Sequence, residues 1–351
     1  MGFSGGRPEE GLATYSAQAD MAMRMALEAC GDLPMYGMLR YFMGHADENL
    51  RPMMGVAGKR IRSGMVLLIA DMFGEAQSAQ DLAVAIELFH NFTLIHDDIE
   101  DNDEMRRGRP TVWKLWGVNH AINAGDAQML IASDFLLRAT ASGEDGARAT
   151  RELNAHFLEV VEGQYLDFEL TEKRLTDPLV TTDAYLEMIR KKTSVLVGAA
   201  TAVGGLSAGC DIATRDLLFT YGESLGMAYQ IADDMASLWG DAGDTGKRAQ
   251  GDLYERKKTY PVLYARDHGV SEQFKTRYND MAPLGDEEVQ ELLTALTATG
   301  ACEATRALGE GYVARAKASA SALPVSPAHR EVLMVLIDTL VRFAPKPHAT
   351  D

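Results

Sequence analysis

Basic residues are scarce in this chain relative to acidic ones: 34 Lys and Arg stand against 51 Asp and Glu, a formal net charge of −17. So acidic a chain repels polyanionic backbones, which excludes nucleic acid as the expected partner. Cysteine is scarcer still. Cys30, Cys210 and Cys302 lie far apart and fit neither a disulfide framework nor a zinc-ligand spacing, as in a reducing compartment. No apolar run has the length of a transmembrane segment; the most lipid-like stretch, 194–209, is short and rich in Gly and Ala, as close helix packing requires. The opening residues, MGFSGGRPEEGLATYS, lack the basic-then-apolar build of a signal peptide, so a cytoplasmic location is expected. Strand-like alternation persists nowhere, and no fixed-period repeat is found.

What is present is helix. Apolar residues make up 46% of the 351, enough to bury a large interior. Helical periodicity runs through 20–30, 61–73, 81–101, 121–140, 148–170, 182–207, 213–238 and 330–343. The breaks fall on turn chemistry such as ASGEDGA, PLGDEE and ALPVSPAH. The pattern predicts one all-α domain over residues 16–343, with flexible tails over 1–15 and 344–351.

The segment 87–113, ELFHNFTLIHDDIEDNDEMRRGRPTVW, carries the most chemistry. An apolar helical run ends in Asp97, Asp98 and Asp101, and Arg106 and Arg107 follow. Positions i, i+1 and i+4 share one helical face, so the three carboxylates would converge and repel one another unless a cation joins them. Mg²⁺ binds through a few carboxylates and takes water or phosphate oxygens elsewhere. Arginines beside such a cluster offer bidentate donors to phosphate. The first expectation is a Mg²⁺–diphosphate site.

A second acidic face stands in GMAYQIADDMASLWGD, where Gln230, Asp233 and Asp234 project from a similar helix. Its i+4 position is Ser237, and the role of Asp241 depends on whether Gly240 ends the helix. Basic clusters complete the set: Gly58-Lys59-Arg60-Ile61-Arg62 at a helix start, Lys191-Lys192-Thr193, Lys247, and Arg256-Lys257-Lys258-Thr259. Each alone would read as a solvated face. Two acidic faces with four basic clusters describe a polyphosphate pocket.

These residues resemble the trans-isoprenyl diphosphate synthases, or polyprenyl synthetases. The resemblance runs from about Leu33 to beyond Pro261, through AGKRIR, DDIED, RRGRPT, GQYLD, KKT, YQIADD and RKKTYP in order. It implies a helical bundle around a central cavity, a homodimer, and a Mg²⁺-dependent head-to-tail condensation. In that condensation an allylic diphosphate (dimethylallyl, geranyl or farnesyl) joins isopentenyl diphosphate.

It further implies that Asp97, Asp98 and Asp101, with Asp233 and Asp234, hold three Mg²⁺ ions on the allylic diphosphate. Arg106, Lys192 and Lys247 would contact that diphosphate and complete the catalytic set. Gln230 and Thr193 would support it, with Lys258 as a further lysine nearby. Lys59, Arg62, His90 and Arg107 would hold the diphosphate of isopentenyl diphosphate. Three departures stand out: Ser237 replaces the last Asp of the second motif, Ala57 and Ser63 replace a Gly and a Pro, and GKRAQGD shifts a Gly by one position.

Product length is expected to depend on Phe92 and Phe89, five and eight residues before Asp97. At 1.5 Å per residue they sit about 7.5 Å and 12 Å down the helix. A ring there would stop a growing tail, and the resemblance implies a C20 product, geranylgeranyl diphosphate. Farnesyl diphosphate (C15) and products of C25 or more are the alternatives. Two other functions compete: a terpene cyclase on the same scaffold, and a non-catalytic subunit of a heteromeric synthase. Lys59, Arg62, His90 and Arg107 speak against the first, because a cyclase needs no second diphosphate site. The complete first motif speaks against the second.

Overall fold

A computed structural model describes residues 8–55, 58–240, 250–280 and 282–344. Helix α1 (Pro8–Ala29) is followed by α2 (Pro34–Phe42), α3 (Ile61–Met72) and α4 (Gln80–Glu100). A hairpin of β1 (Met105–Arg106) and β2 (Arg109–Pro110) leads to α5 (Val112–Trp116), α6 (Val118–Thr140) and α7 (Glu144–Glu172). Then come α8 (Thr182–Ile189), a π-helical turn (Arg190–Ser194), α9 (Val195–Ser207) and α10 (Ile212–Trp239). The remainder is α11 (Gly251–Tyr254), α12 (Tyr260–Asp267), α13 (Glu272–Asn279), α14 (Asp286–Ala298), α15 (Ala301–Ala322) and α16 (Pro327–Leu340). The all-α expectation holds: among the described residues the only sheet is the two-stranded hairpin. No helix among them is long and apolar enough to cross a membrane.

The chain divides into two compact units. The first comprises Met1–Phe157, Ala199–Phe219 and Leu323–Val332; the second comprises Leu158–Gly198, Thr220–Ala322 and Leu333–Asp351. In the first, α4 lies along α6 and α3, and α1 lies along α3. Residues 82–89 of α4 are buried without a break, so this helix has no solvent face over two turns. Burial of each large apolar side chain there contributes about 1.5–3 kcal/mol. The second unit has its own core, in which Tyr185, Met227, Ile231, Leu238, Leu253, Leu263 and Leu296 pack together.

The amino-terminal expectation needs correction. A tail was expected over 1–15, but α1 begins at Pro8. Leu12, Tyr15, Ala19, Met23 and Leu27 recur at helical spacing and are buried. The carboxy-terminal tail lies outside the described residues from 345 onward.

Candidate active site

The first unit carries the first acidic motif. Asp97 and Asp98 occupy the last turn of α4, and Asp101 is its C-cap, with its backbone N–H donating to the Asp97 carbonyl. Arg106 reaches back from β1. Its Nε donates to Asp98 Oδ1, and its Nη2 lies 3.4 Å from Asp97 Oδ2. Burial pushes the Asp98 carboxyl up to about 6 although Arg106 pulls it down, so it is ionised at neutral pH.

The other oxygen, Asp98 Oδ2, is buried with no hydrogen-bond partner. A buried carboxylate oxygen left without a donor beside a second carboxylate fits a cation, which needs no proton to satisfy it. Among the described residues no three His, Cys, Asp or Glu side chains form a ready-made metal cage. Arg106 holds the two aspartates in the meantime.

The hairpin that presents Arg106 and Arg107 turns on two residues, Arg107 and Gly108, both at positive φ (53° and 74°). Two positive φ values are the signature of a type I′ turn, which suits the twist of a two-residue hairpin. Gly108 adopts it freely; Arg107 does so at a steric cost. Arg109 holds the hairpin from the other strand. Its guanidinium lies 3.9 Å over the Tyr41 ring and donates to the carbonyls of Tyr41 (3.0 Å) and Ala46 (2.8 Å).

The basic segment before α3 splits its side chains between two directions. Lys59 is exposed, while Arg60 is buried, with Nε donating to Asp20 Oδ1 (2.8 Å) and Nη2 to the Met43 carbonyl (2.6 Å). Arg62 Nη1 donates to His90 Nε2 at 3.1 Å. Burial, then Arg62 and Arg107, hold the His90 pKa well below its usual value, so the ring is neutral and can accept. A Cβ at Gly58 would stand 2.9 Å from Arg107 Cζ, so glycine lets this segment meet the Arg107 guanidinium. Burial, Arg60 and Arg106 lower the Arg107 pKa to about 10, still charged at neutral pH.

At the start of α3, Glu87 from α4 takes one backbone donor. Its Oε2 accepts from the Ser63 backbone N–H (3.2 Å) and hydroxyl (3.0 Å). Ser63, standing where a proline was expected, supplies both donors.

The second unit carries the second motif. Asp234 Oδ1 accepts from Gln230 Nε2 (2.8 Å), and Oδ2 accepts from the Tyr185 hydroxyl. Thr193 Oγ1 donates to Gln230 Oε1 at 3.0 Å. Burial and the nearby Asp252 carboxylate push the Asp234 pKa up strongly. Ser237 Oγ accepts from the Asp252 backbone N–H at 3.3 Å, so the serine in the place of a third aspartate tethers the segment carrying another carboxylate. Lys191, Lys192 and Thr193 lie on the π-helical turn, a form that frequently marks functional sites.

Lys192 Nζ pairs with Asp167 Oδ2 at 2.5 Å. A Cβ at Gly163 would stand 2.2 Å from the Lys192 backbone nitrogen, which is why the turn can lie against α7. Lys258 is buried and donates to the Thr171 carbonyl at 2.6 Å; burial lowers its pKa to about 8. Lys247 and Asp241 lie outside the described residues.

The expected residues thus gather into two groups. Asp97, Asp98, Arg106, Arg107, Arg62 and His90 belong to the first unit; Gln230, Asp234, Lys192 and Thr193 belong to the second. Tyr185 and Asp252 were missed. Tyr185 carries no sequence signal, whereas Asp252 ends the quoted GKRAQGD and was legible as an unassigned carboxylate.

The sequence profile of the polyprenyl synthetase family matches residues 45–296. The chain belongs to the polyprenyl synthetase family. Among other family members, it is 41% identical over 241 residues to (2E,6E)-farnesyl diphosphate synthase of Mycobacterium tuberculosis, spanning 68% of this chain and 66% of that one. It is 36% identical over 285 residues to a geranylgeranyl pyrophosphate synthase of Geoglobus acetivorans, covering 81% and 86% of the two chains. The fold matches a polyprenyl synthetase from Streptomyces coelicolor with a TM-score of 0.85, at 32% identity over 94% of this chain and 99% of that one.

Proposed function

We propose that this polyprenyl synthetase is a chain-elongating prenyltransferase that condenses an allylic diphosphate with isopentenyl diphosphate, head to tail, and stops at C20. The observation that carries the two-substrate reading is the cluster of Arg62, neutral His90 and Arg107 at Gly58. It brings two guanidiniums and a hydrogen-bonding imidazole to one place, which suits an anion, and a cyclase has no use for it. The names of the relatives, farnesyl and geranylgeranyl diphosphate synthases, support the same reaction class.

Asp97, Asp98 and Asp101, with Asp233 and Asp234, would hold Mg²⁺ on the allylic diphosphate. Bound there, the ions supply Lewis-acid neutralisation of the leaving group, worth several kcal/mol. Arg106, on release from Asp98, would turn its guanidinium to the same phosphates, and Lys192 and Lys247 would contribute further positive charge to them. Thr193 and Gln230 fix the orientation of Asp234. Lys59, Arg62, His90 and Arg107 hold isopentenyl diphosphate with its double bond toward the allylic carbon, which is catalysis by positioning. The departing diphosphate takes the proton lost after bond formation. Phe92, half-buried, forms the floor beneath the growing tail, and the enzyme works as a cytoplasmic homodimer.

The test is incubation of the purified chain with Mg²⁺, isopentenyl diphosphate and dimethylallyl, geranyl or farnesyl diphosphate, followed by extraction of the product. C20 is expected. A C15 or C25 product overturns the length alone. Hydrocarbon formed without isopentenyl diphosphate overturns the reaction in favour of cyclisation, and no turnover overturns it in favour of a partner-dependent subunit.

A further inference from the structure

Four rings form a continuous file beneath the first acidic motif. Phe157 of α7 lies flat on Phe89 at 3.7 Å between centroids and 3° between planes. Phe89, buried to 1% exposure, tilts against Phe92 at 5.6 Å. Phe92 meets His96 edge-on at 4.9 Å and 71°. These two are four residues apart on α4 and therefore on one face.

His96 is held from its far side. Its Nε2 lies 3.3 Å from the Ile122 carbonyl and 3.7 Å from Asp126 Oδ1, both acceptors, which places a proton on that nitrogen. Gly125 lies under the ring: a Cβ there would stand 2.3 Å from Nε2 and 2.5 Å from Cδ2. The ring fits only because α6 has no side chain at this point.

We propose that His96, seated on Gly125, is a positioning residue that fixes the Phe92 ring and so sharpens product length. Phe92 has a buried ring on one side and a pinned imidazole on the other, and it cannot turn aside without losing an edge-to-face contact. A tail pressing on the floor meets a ring braced at both edges. The inference rests on the reading of Phe92 as the floor and adds two residues to it: His96 and Gly125, the latter on a different helix.

Four variants of the full-length chain test it by product length: Phe92→Ala, His96→Ala, the two combined, and Gly125→Ala. Loss of one ring contact should raise the ratio of the product one C5 unit longer to the main product by roughly three- to tenfold in His96→Ala. Gly125→Ala should do the same by forcing the imidazole off its seat, and it keeps the test open where His96→Ala does not fold. Because His96 acts through Phe92, the combined variant should match Phe92→Ala alone. A longer product from Phe92→Ala with an unchanged ratio in both His96→Ala and Gly125→Ala overturns the positioning role and leaves the floor standing. An unchanged product from Phe92→Ala overturns the floor itself. Lower turnover or lower melting temperature at constant product length would mark His96 as structural only, which also overturns the proposal.

Discussion

Asp98 at the end of α4 faces a guanidinium, whereas Asp234 on α10 faces a phenol and an amide. Both carboxylates are buried, and burial raises both pKa values. They differ in what offsets it. Arg106 balances the charge of the first pair, so that region is ionised at neutral pH before any metal arrives. Among the described residues the second has another carboxylate nearby instead of a cation and is biased toward holding a proton. A divalent ion would therefore compete with an arginine in the first unit and with protons in the second. Two motifs that look alike as letters pose different electrostatic problems.

The largest effect that sharpens this contrast belongs to Asp98→Asn. With Arg106 left facing a neutral amide and a metal ligand lost, kcat/KM should fall by at least about 10³-fold, the order of several kcal/mol. Steady-state kinetics at saturating Mg²⁺ checks it; a loss under tenfold would remove Asp98 from the metal site. Asp234→Asn should cost less, about 10²-fold, because an amide keeps both hydrogen-bond neighbours. It should also abolish the part of the kcat/KM–pH profile in which activity rises as Asp234 loses its proton. A retained acid limb would assign that titration elsewhere.

Substrate affinity should divide along the same line. Arg107→Gln removes a charged donor from the Arg62–His90 cluster and should raise the KM for isopentenyl diphosphate about 10- to 100-fold, leaving the allylic KM within about twofold. Lys192→Ala should do the reverse. Initial rates with each substrate varied in turn read both, and equal rises in either variant would break the assignment.

The smallest effect is on stability. A carboxyl whose pKa is raised by folding adds stability below its unfolded value of 3.8 and loses it as pH rises through the folded value. Without divalent metal, melting temperature should therefore fall as pH rises from about 4 to about 8, and Asp234→Asn should flatten the fall. Mg²⁺ at about 100 times its Kd should return about 2.7 kcal/mol, and more at high pH than at low. Thermal scans with and without EDTA measure this, and a pH-independent metal shift would count against the proton-competition picture.

The sequence made the first region more legible than the second. Asp97, Asp98 and the arginines after them sit within a few residues of one another, so local geometry nearly determines their meeting. Even there, Arg107 depends on Gly58, and Ser63 recruits Glu87 to the start of α3. In the second region Asp234 is oriented by Tyr185, which lies 49 positions away and looks like any core aromatic in sequence. Asp252 joins through a backbone bond to Ser237. Such partnerships come from tertiary packing and leave no periodic trace. The helical start at Pro8 was missed for a related reason: Leu12 and Tyr15 are too sparse an apolar pattern until α3 is present to cover them.

The π-helical turn at Arg190–Ser194 fits five residues where a tighter winding would place fewer. That surplus gives the position a sensitivity to length that substitutions do not probe. Removing one residue there would let the backbone close into ordinary α-helix without opening a gap. Residues downstream on α9 would keep their facing, because the residue removed is the surplus one, and only the turn itself would be re-dealt. Lys191 and Lys192, now paired with Glu162 and Asp167 respectively, would change partners together. In this family member, chain length at a single turn is a lever on how the basic residues are dealt out, separate from which basic residues are present.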